Sequence, residues 1–281
     1  MKITFWGTRG SIPVPGKDTT VYGGNTTCLE ITLDSGITVI IDAGTGLRCL
    51  GEGLAAKGER VDVYLLMTHI HWDHLLGFPF FPPIYEERTK ISIDGAPNCM
   101  KGLRAPFDNK LGDGFFPVKF DDLKADTRHL DTLSHGPLNI GDCVIDSIPL
   151  QHPQGGYGFR FREQGKALVF ITDNELTNEN WAERHLDDYV SFCQDADILI
   201  HDAQYTPEER ERRRGWGHSD YVSALELALK AQVKRLILFH HDPSRKDPEV
   251  EALRNHCEEL ARERGEKILI DAAREQGELI L

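Results

Sequence analysis

The run Val61–Met67 (VDVYLLM) leads straight into Thr68-His69-Ile70-His71-Trp72-Asp73-His74, and no other junction constrains the fold of this chain as much. Alternate residues of an extended segment share a face, so His69 and His71 can reach one point together. A turn or helix start then brings Asp73 and His74 back toward a neighbouring point. Imidazole and carboxylate are the usual ligands of zinc and similar transition metals. A lone histidine reads first as structural; three histidines and an aspartate just past an apolar strand read as a metal site. Ligands at a strand end call for a rigid sheet whose loops converge on one point.

The rest of the chain supplies such sheets. Apolar, β-rich runs recur at Ile3–Trp6, Cys28–Leu33, Thr38–Ile41, Lys90–Ile93, Val144–Leu150, Gly158–Arg162, Ala167–Ile171, Ile198–Ile200, Arg235–Phe239 and Lys267–Ile270. Each stops at Gly, Pro, Asp or His, as strands do at functional loops. Helical periodicity is best in Asp220–Ala231 and Pro248–Arg264, with a weaker candidate at Glu179–Cys193. Asp220 or Ser219 suits the N-cap of the first, and Pro248 the first turn of the second. Strands dominate early and helices intersperse later without strict alternation, which fits buried sheets covered by helices on their outer faces. No linker divides the chain, so one domain over residues 1–281 is expected, with an irregular excursion near 98–128.

Composition narrows the partners. A formal net charge of −13 argues against an extended nucleic-acid surface, which needs a basic patch. It leaves a small anionic substrate open, because divalent cations dominate the charge around them. No run approaches the roughly 20 apolar residues of a membrane-spanning helix, and MKITFWGTRGS lacks the apolar stretch of a secretory signal. A cytoplasmic protein is expected. The six cysteines form no CxxC pair and read as buried or incidental thiols.

The motif His69-x-His71-x-Asp73-His74 resembles the HxHxDH signature of the metallo-β-lactamase superfamily letter for letter, and later motifs of that family follow in order. His152 in PLQHP resembles the next ligand, Asp173 at the end of ALVFITD the carboxylate shared by two metals, and His240 after RLILF the final ligand. The resemblance implies an α/β fold, a four-layer αββα sandwich, holding two divalent ions. Zinc suits the His-rich set, and manganese or iron can occupy similar sites. One ion would be held by His69, His71 and His152, the other by Asp73, His74 and His240, with Asp173 touching both. Asp73 would thereby serve catalysis too. Between the adjacent His240 and His241, the place directly after the strand favours His240 as the ligand, and His241 is left as a group that backs the site or faces the substrate. Asp42 in Asp42-Ala43-Gly44 is similar to the family's DxG turn and would brace the site.

His201-Asp202-Ala203-Gln204-Tyr205 and Gly217-His218-Ser219-Asp220 resemble the paired motifs of the ribonuclease Z-like phosphodiesterase branch. Carried over, Asp202 orients His218, and His218 is the general acid for the leaving alkoxide. That branch often has Glu where Asp202 stands, and the shorter side chain changes the reach. The loops Gly7–Ser11 and Tyr22–Thr26 resemble those of bacterial cyclic phosphodiesterases in the same superfamily, which would place Arg9 and Asn25 at the substrate. The basic run Arg210–Arg214 reads either as a solvated helix face or as an anion-attracting approach to His218. Trp216 and Tyr205 read as base-stacking or core aromatics.

True ribonuclease Z enzymes carry a long tRNA-gripping arm between the ligands matched by His152 and Asp173. Here that interval is only HPQGGYGFRFREQGKALVFITD. A small cyclic phosphodiester, either a cyclic nucleotide or a cyclic ribose phosphate, is therefore the expected substrate. The alternatives are RNA processing of the ribonuclease Z kind, hydrolysis of a lactone, thioester or β-lactam, and a non-enzymatic metal-binding sensor. An iron redox role is set aside because no flavin-binding segment follows the core. The relatives suggest a homodimer.

Overall fold

The computed structural model describes residues 1–108, 116–177, 182 and 184–281. Its strands are, in chain order, β1 (Lys2–Gly7), β2 (Cys28–Thr32), β3 (Thr38–Ile41), β4 (Val61–Met67), β5 (Thr89–Gly95), β6 (Asp126–His129), β7 (Leu138–Ile140), β8 (Cys143–Pro149), β9 (Tyr157–Glu163), β10 (Lys166–Ile171), β11 (Ile198–Asp202), β12 (Arg235–Phe239), β13 (Leu269–Ala272) and β14 (Glu278–Ile280). Helices are α1 (Gly46–Ala56), α2 (Cys99–Arg104), α3 (Leu186–Cys193), α4 (Pro207–Arg212), α5 (Tyr221–Lys230) and α6 (Asp247–Glu263). The strands form two seven-stranded sheets, ordered β14-β1-β2-β3-β4-β5-β6 and β13-β12-β11-β10-β9-β8-β7.

Three apolar clusters define four layers. Leu29, Ile31 and Ile41 from the first sheet pack with Phe161, Phe170 and Ile200 from the second, so the two sheets face each other. The outer face of the first sheet buries Val63, Leu65 and Ile91 against Leu47 and Leu50 of α1 and Leu103 of α2. The outer face of the second buries Val169, Leu199 and Leu236 against Tyr189 of α3, Leu225 of α5 and Val250 of α6. Helix, sheet, sheet, helix is the sandwich that the resemblance implied.

Each element follows from its residues. The run of β10 after Lys166, ALVFI, is buried throughout, as a strand covered on both faces must be. On α5 the buried positions Tyr221, Ala224, Leu225 and Ala228 fall on one stripe. Truncating a fully buried leucine such as Leu225 to alanine would cost about 2–5 kcal/mol. Asp220 is the N-cap that forms, its carboxylate accepting from Val222 and Ser223 N–H. All eleven sequence-read strands are present. The periodicity misses β6, β7 and β14, which are three or four residues long, the six-residue helices α2 and α4, and α1, whose polar Arg48 and Glu52 sit on an exposed side. The weaker helix candidate at Glu179–Cys193 starts later, as α3 at Leu186; residues 179–181 and 183 lie outside the described residues, as do 109–115 of the excursion near 98–128.

Sheet direction positions the site. Strands β3 to β6 run parallel, as do β10 to β13, while β8 is brought into the direction of β10 by the antiparallel β9 between them. The C-terminal ends of β3, β4, β8, β10, β11 and β12 precede Asp42, His69, His152, Asp173, Ala203 and His240 respectively. In open α/β sheets that edge is where ligands bind. Among the described residues, no helix is long and apolar enough to cross a membrane. Of the cysteines, Cys49 is half-buried and the others are buried, and all are free thiols.

Candidate metal centre

The signature run changes conformation midway. His71 is extended, and Trp72–His74 forms a single 3-10 turn. That turn swings Asp73 and His74 away from His69 and His71, so the cluster splits into two ligand sets. His69, His71 and His152 make one, and Asp73, His74, Asp173 and His240 the other; within each set the ligand atoms lie within 4.8 Å of one another. In the first set, His71 Nδ1 and His152 Nε2 stand 3.0 Å apart. In the second, His240 Nε2 is 3.2 Å from both Asp73 Oδ2 and Asp173 Oδ2, and His74 Nε2 is 3.3 Å from the same two oxygens. Asp173 divides its oxygens between the sets, because Oδ1 lies 3.8 Å from His69 Nε2 and 3.8 Å from His152 Nε2.

Backing groups fix which nitrogen faces inward. A carbonyl or carboxylate oxygen can only accept, so the imidazole nitrogen facing it carries the hydrogen. His74 Nδ1 donates to Asp42 Oδ2 at 2.8 Å, His240 Nδ1 to Gln204 Oε1 at 3.0 Å, and His152 Nδ1 to Gly217 O at 2.9 Å. The Thr68 hydroxyl donates to Asp42 at 2.8 Å and faces His69 Nδ1 at 3.0 Å. The Nε2 lone pairs of all four rings are thereby left for the centre. Asp73 Oδ2 accepts from Ser11 N–H at 2.7 Å. Gly10 makes room for His240, since a Cβ there would stand 2.4 Å from the imidazole.

Three buried nitrogens facing this centre have no hydrogen-bond partner: His69 Nε2, His74 Nε2 and His218 Nδ1. Unpaired buried polar atoms are costly. Seven converging His and Asp ligand atoms with such orphans are the donor set that two divalent transition-metal ions require. The residues fit the group. Electrostatics agree: burial opposes charge on His74, yet Asp73, Asp173 and Asp42 hold its pKa well above the ordinary value. Burial likewise opposes charge on Asp173, but His240, His74 and His69 keep its carboxyl well below the usual range. Without ions, the cluster has to recruit protons to balance its carboxylates.

Backbone strain marks the same places. Asp42, Asp173 and His240 have φ of 61°, 55° and 57°, a left-handed conformation that non-glycine residues rarely adopt. Each stands within two residues of a strand end, and the reversal turns Asp173 and His240 into the centre and Asp42 onto His74 Nδ1 behind it.

Around His218 the structure redistributes roles. His218 Nδ1 lies 3.7 Å from Asp173 Oδ1 and 3.8 Å from Asp202 Oδ2, too far for a hydrogen bond to either. The expected direct orientation by Asp202 is thus replaced: its carboxylate accepts from Ser219 N–H at 2.8 Å and Asn174 N–H at 3.2 Å. Asp202 ties together the backbones of the two loops that carry Asp173 and His218, and its side chain is one methylene short of the glutamate common in that branch. Burial and the nearby Asp173 raise its pKa well above the usual range. Glu175, which the motifs do not mark, works the same way: Oε2 accepts from Gly215 and Gly217 N–H at 2.8 and 3.1 Å. Gly217 itself, at φ 84°, passes so close to His152 that a Cβ would stand 2.1 Å from its ring.

Two substrate assignments are corrected. Arg9 is fully buried; Nε donates to Gly23 O at 2.7 Å and NH1 to Asp242 O and Arg245 O at 3.2 and 2.8 Å. It binds loops from both ends of the chain together and presents no face to a phosphate. His241 is also buried, its Nε2 donating to Ala273 O at 2.9 Å, and burial lowers its pKa to about 3. Asn25 is engaged too, donating to Glu275 at 3.0 Å and accepting from the Thr45 hydroxyl at 3.1 Å. The basic run lies at the surface, with its charges engaged within the chain: Arg210 donates to Leu176 O, Arg213 stacks 4.8 Å over the Tyr205 ring, and exposed Arg214 pairs with Glu211. Buried Tyr205 meets the His218 ring edge-on at 5.7 Å, whereas Trp216 is exposed. Gln204 went unmarked as well, although its place in the His201–Tyr205 motif pointed to the site.

A two-sheet sandwich with this ligand arrangement defines the metallo-β-lactamase fold, and the family described as Beta-lactamase superfamily domain matches residues 38–241. The chain belongs to that superfamily, as a ribonuclease Z-like member. The ribonuclease Z of Picrophilus torridus is 23% identical over 286 residues, covering 85% of each chain. Among solved structures, the metallo-β-lactamase fold protein YhfI from Bacillus subtilis superposes with a TM-score of 0.72 at 16% identity, over 99% of this chain and 98% of its own. Yeast PDE1 superposes with a TM-score of 0.70 at 15% identity, over 100% and 99%.

Proposed function

We propose that this metal-dependent hydrolase cleaves a small phosphodiester, a cyclic nucleotide or a cyclic ribose phosphate, with His218 as general acid. The reading rests on the place of His218: its unpartnered Nδ1 stands 3.7 Å from the Asp173 oxygen turned toward the His69, His71 and His152 set. When bound, two divalent ions, zinc by the chemistry of the donor set, supply Lewis acidity and a water acidic enough to attack at neutral pH. His69, His71 and His152 would hold one and Asp73, His74 and His240 the other, with Asp173 between them.

The chain's own part is placement and proton delivery. Burial lowers the His218 pKa to about 3, so the free ring is neutral. A phosphodiester anion seated beside it favours the imidazolium. The ring then carries a proton at Nδ1 for the leaving alkoxide, a role typically worth about 10²–10⁴-fold in rate. Asp202 and Glu175 keep His218 in register by gripping the backbone on either side of it.

The ribonuclease Z relatives act on RNA by their name, which supports phosphodiester chemistry. The interval from His152 to Asp173 disfavours RNA as substrate here. It holds only the hairpin of β9 and β10, closed by the turn at Gln164 and Gly165. Metal-loaded protein should hydrolyse cyclic nucleotides or cyclic ribose phosphates and a generic aryl phosphodiester, while leaving pre-tRNA, lactones, thioesters and β-lactams largely intact. Turnover of a carboxyl-derived substrate with none on any phosphodiester would overturn the reading.

A further inference from the structure

A cavity of about 260 Å³ opens beside the metal centre and shares His69 and His71 with it. It falls just below the roughly 300–1,000 Å³ of typical small-molecule sites, so it admits one compact group and not a polymer. Its other walls are apolar or neutral: Ile70, Pro97 and Leu150, with Asn98, Gln154 and Tyr157 supplying polar atoms. Apart from the two histidines, no titratable cation lines it among the described residues. Lys101 belongs to a separate groove on the far side of Ile70.

The polar atoms are uncommitted. Asn98 stands at the N-cap of α2, where asparagine normally bonds the first helical amides, but its side chain makes no capping bond. The Gln154 amide and Tyr157 hydroxyl likewise have no hydrogen-bond partner among the described residues. Gln154 is held at φ 69°, followed by Gly155 at 74°, a tight reversal at the cavity rim. A pair of free amides offers donors and acceptors together, which matches the edge of a neutral heterocycle. Tyr157 is half-buried against the inter-sheet core, which limits its movement, and it also lines the cavity, where an aromatic side chain suits stacking.

We infer that this cavity receives the uncharged, ring-bearing part of the substrate, so that the preferred ligand carries one phosphate at the metal centre and a nucleobase-like group against Asn98, Gln154 and Tyr157. This rests on the phosphodiesterase reading and narrows it: a nucleoside cyclic monophosphate is favoured over a cyclic ribose phosphate bearing further phosphates. A second phosphate in this cavity would find no lysine or arginine among the lining residues to pair with.

Calorimetric binding to the metal-loaded protein tests the assignment with three product-like probes: methyl phosphate, a nucleoside monophosphate and a nucleoside bisphosphate. The nucleoside monophosphate should bind at least about tenfold more tightly than methyl phosphate, as one stacked base allows, and the bisphosphate should forfeit that gain. Tyr157→Ala should reduce the nucleoside advantage without changing methyl phosphate binding. Because Tyr157 also touches the core, the exposed Asn98 and Gln154 provide a second measurement: Asn98→Arg should selectively improve bisphosphate binding, and Gln154→Ala should weaken only the nucleoside probe. Equal binding of methyl phosphate and nucleoside monophosphate, or preference of the unmodified protein for the bisphosphate, would overturn the cavity assignment and leave the phosphodiesterase reading standing. Failure of all three phosphates, with binding of a lactone or thioester analogue, would remove both.

Discussion

The two ligand sets share the end of β4 and a common residue, Asp173, yet their surroundings differ. Asp73, His74, Asp173 and His240 are all buried, include two carboxylates, and are backed by Asp42, Gln204 and the Ser11 amide. The set of His69, His71 and His152 shares only one oxygen of Asp173, leaves His71 half-exposed, and borders an open cavity. Charge and enclosure favour retention of a cation; an open side favours exchange with water or substrate. On the proposed reading, the enclosed set would hold its ion and the open set would meet the phosphodiester.

Asp173→Ala should break the comparison altogether, because it removes the one group common to both sets. Metal analysis should find both ions lost and phosphodiester turnover reduced to background; retention of a full complement would show that the sets are independent. Next in size, His218→Ala should slow turnover by about 10²–10⁴-fold while leaving metal content unchanged. Turnover equal to that of the parent protein would strip His218 of its role. Limiting chelator should remove the ion of the open set first. Asp42→Ala should narrow that gap by weakening the enclosed set about 10–100-fold. A chelator titration in which the two ions leave together, before and after the substitution, would contradict the asymmetry. The smallest effect is expected of Gln204→Leu, about tenfold on the enclosed ion alone, since a neutral amide backs His240 more weakly than a carboxylate backs His74. Loss from the open set instead would mean that Gln204 acts through the His218 loop.

Much of this was legible in the chain. Alternation in Val61–Met67 and the spacing of His69, His71, Asp73 and His74 announce a strand followed by a turn, and both are present. His152, Asp173 and His240 could be placed because each follows an apolar run that is unmistakably a strand. What escaped is non-local. Arg9 looks like a phosphate ligand because its binding carbonyls lie as far away as residues 242 and 245. Glu175 carries no motif, and its function depends on two backbone amides 40 and 42 residues further on. Asp202 kept its importance but changed its contact, because one methylene decides whether a carboxylate reaches a ring or stops at the backbone.

The left-handed conformations of Asp42, Asp173 and His240 have a consequence for how this protein tolerates change. At these positions asparagine or glycine satisfies the backbone, so replacements of that kind should fold well while losing turnover at Asp173 and His240 and metal affinity at Asp42. Valine or isoleucine, unable to adopt the conformation without strain, should cost the fold as well. A mutational survey that scores expression and turnover separately would find the two tolerances diverging most at these strand ends.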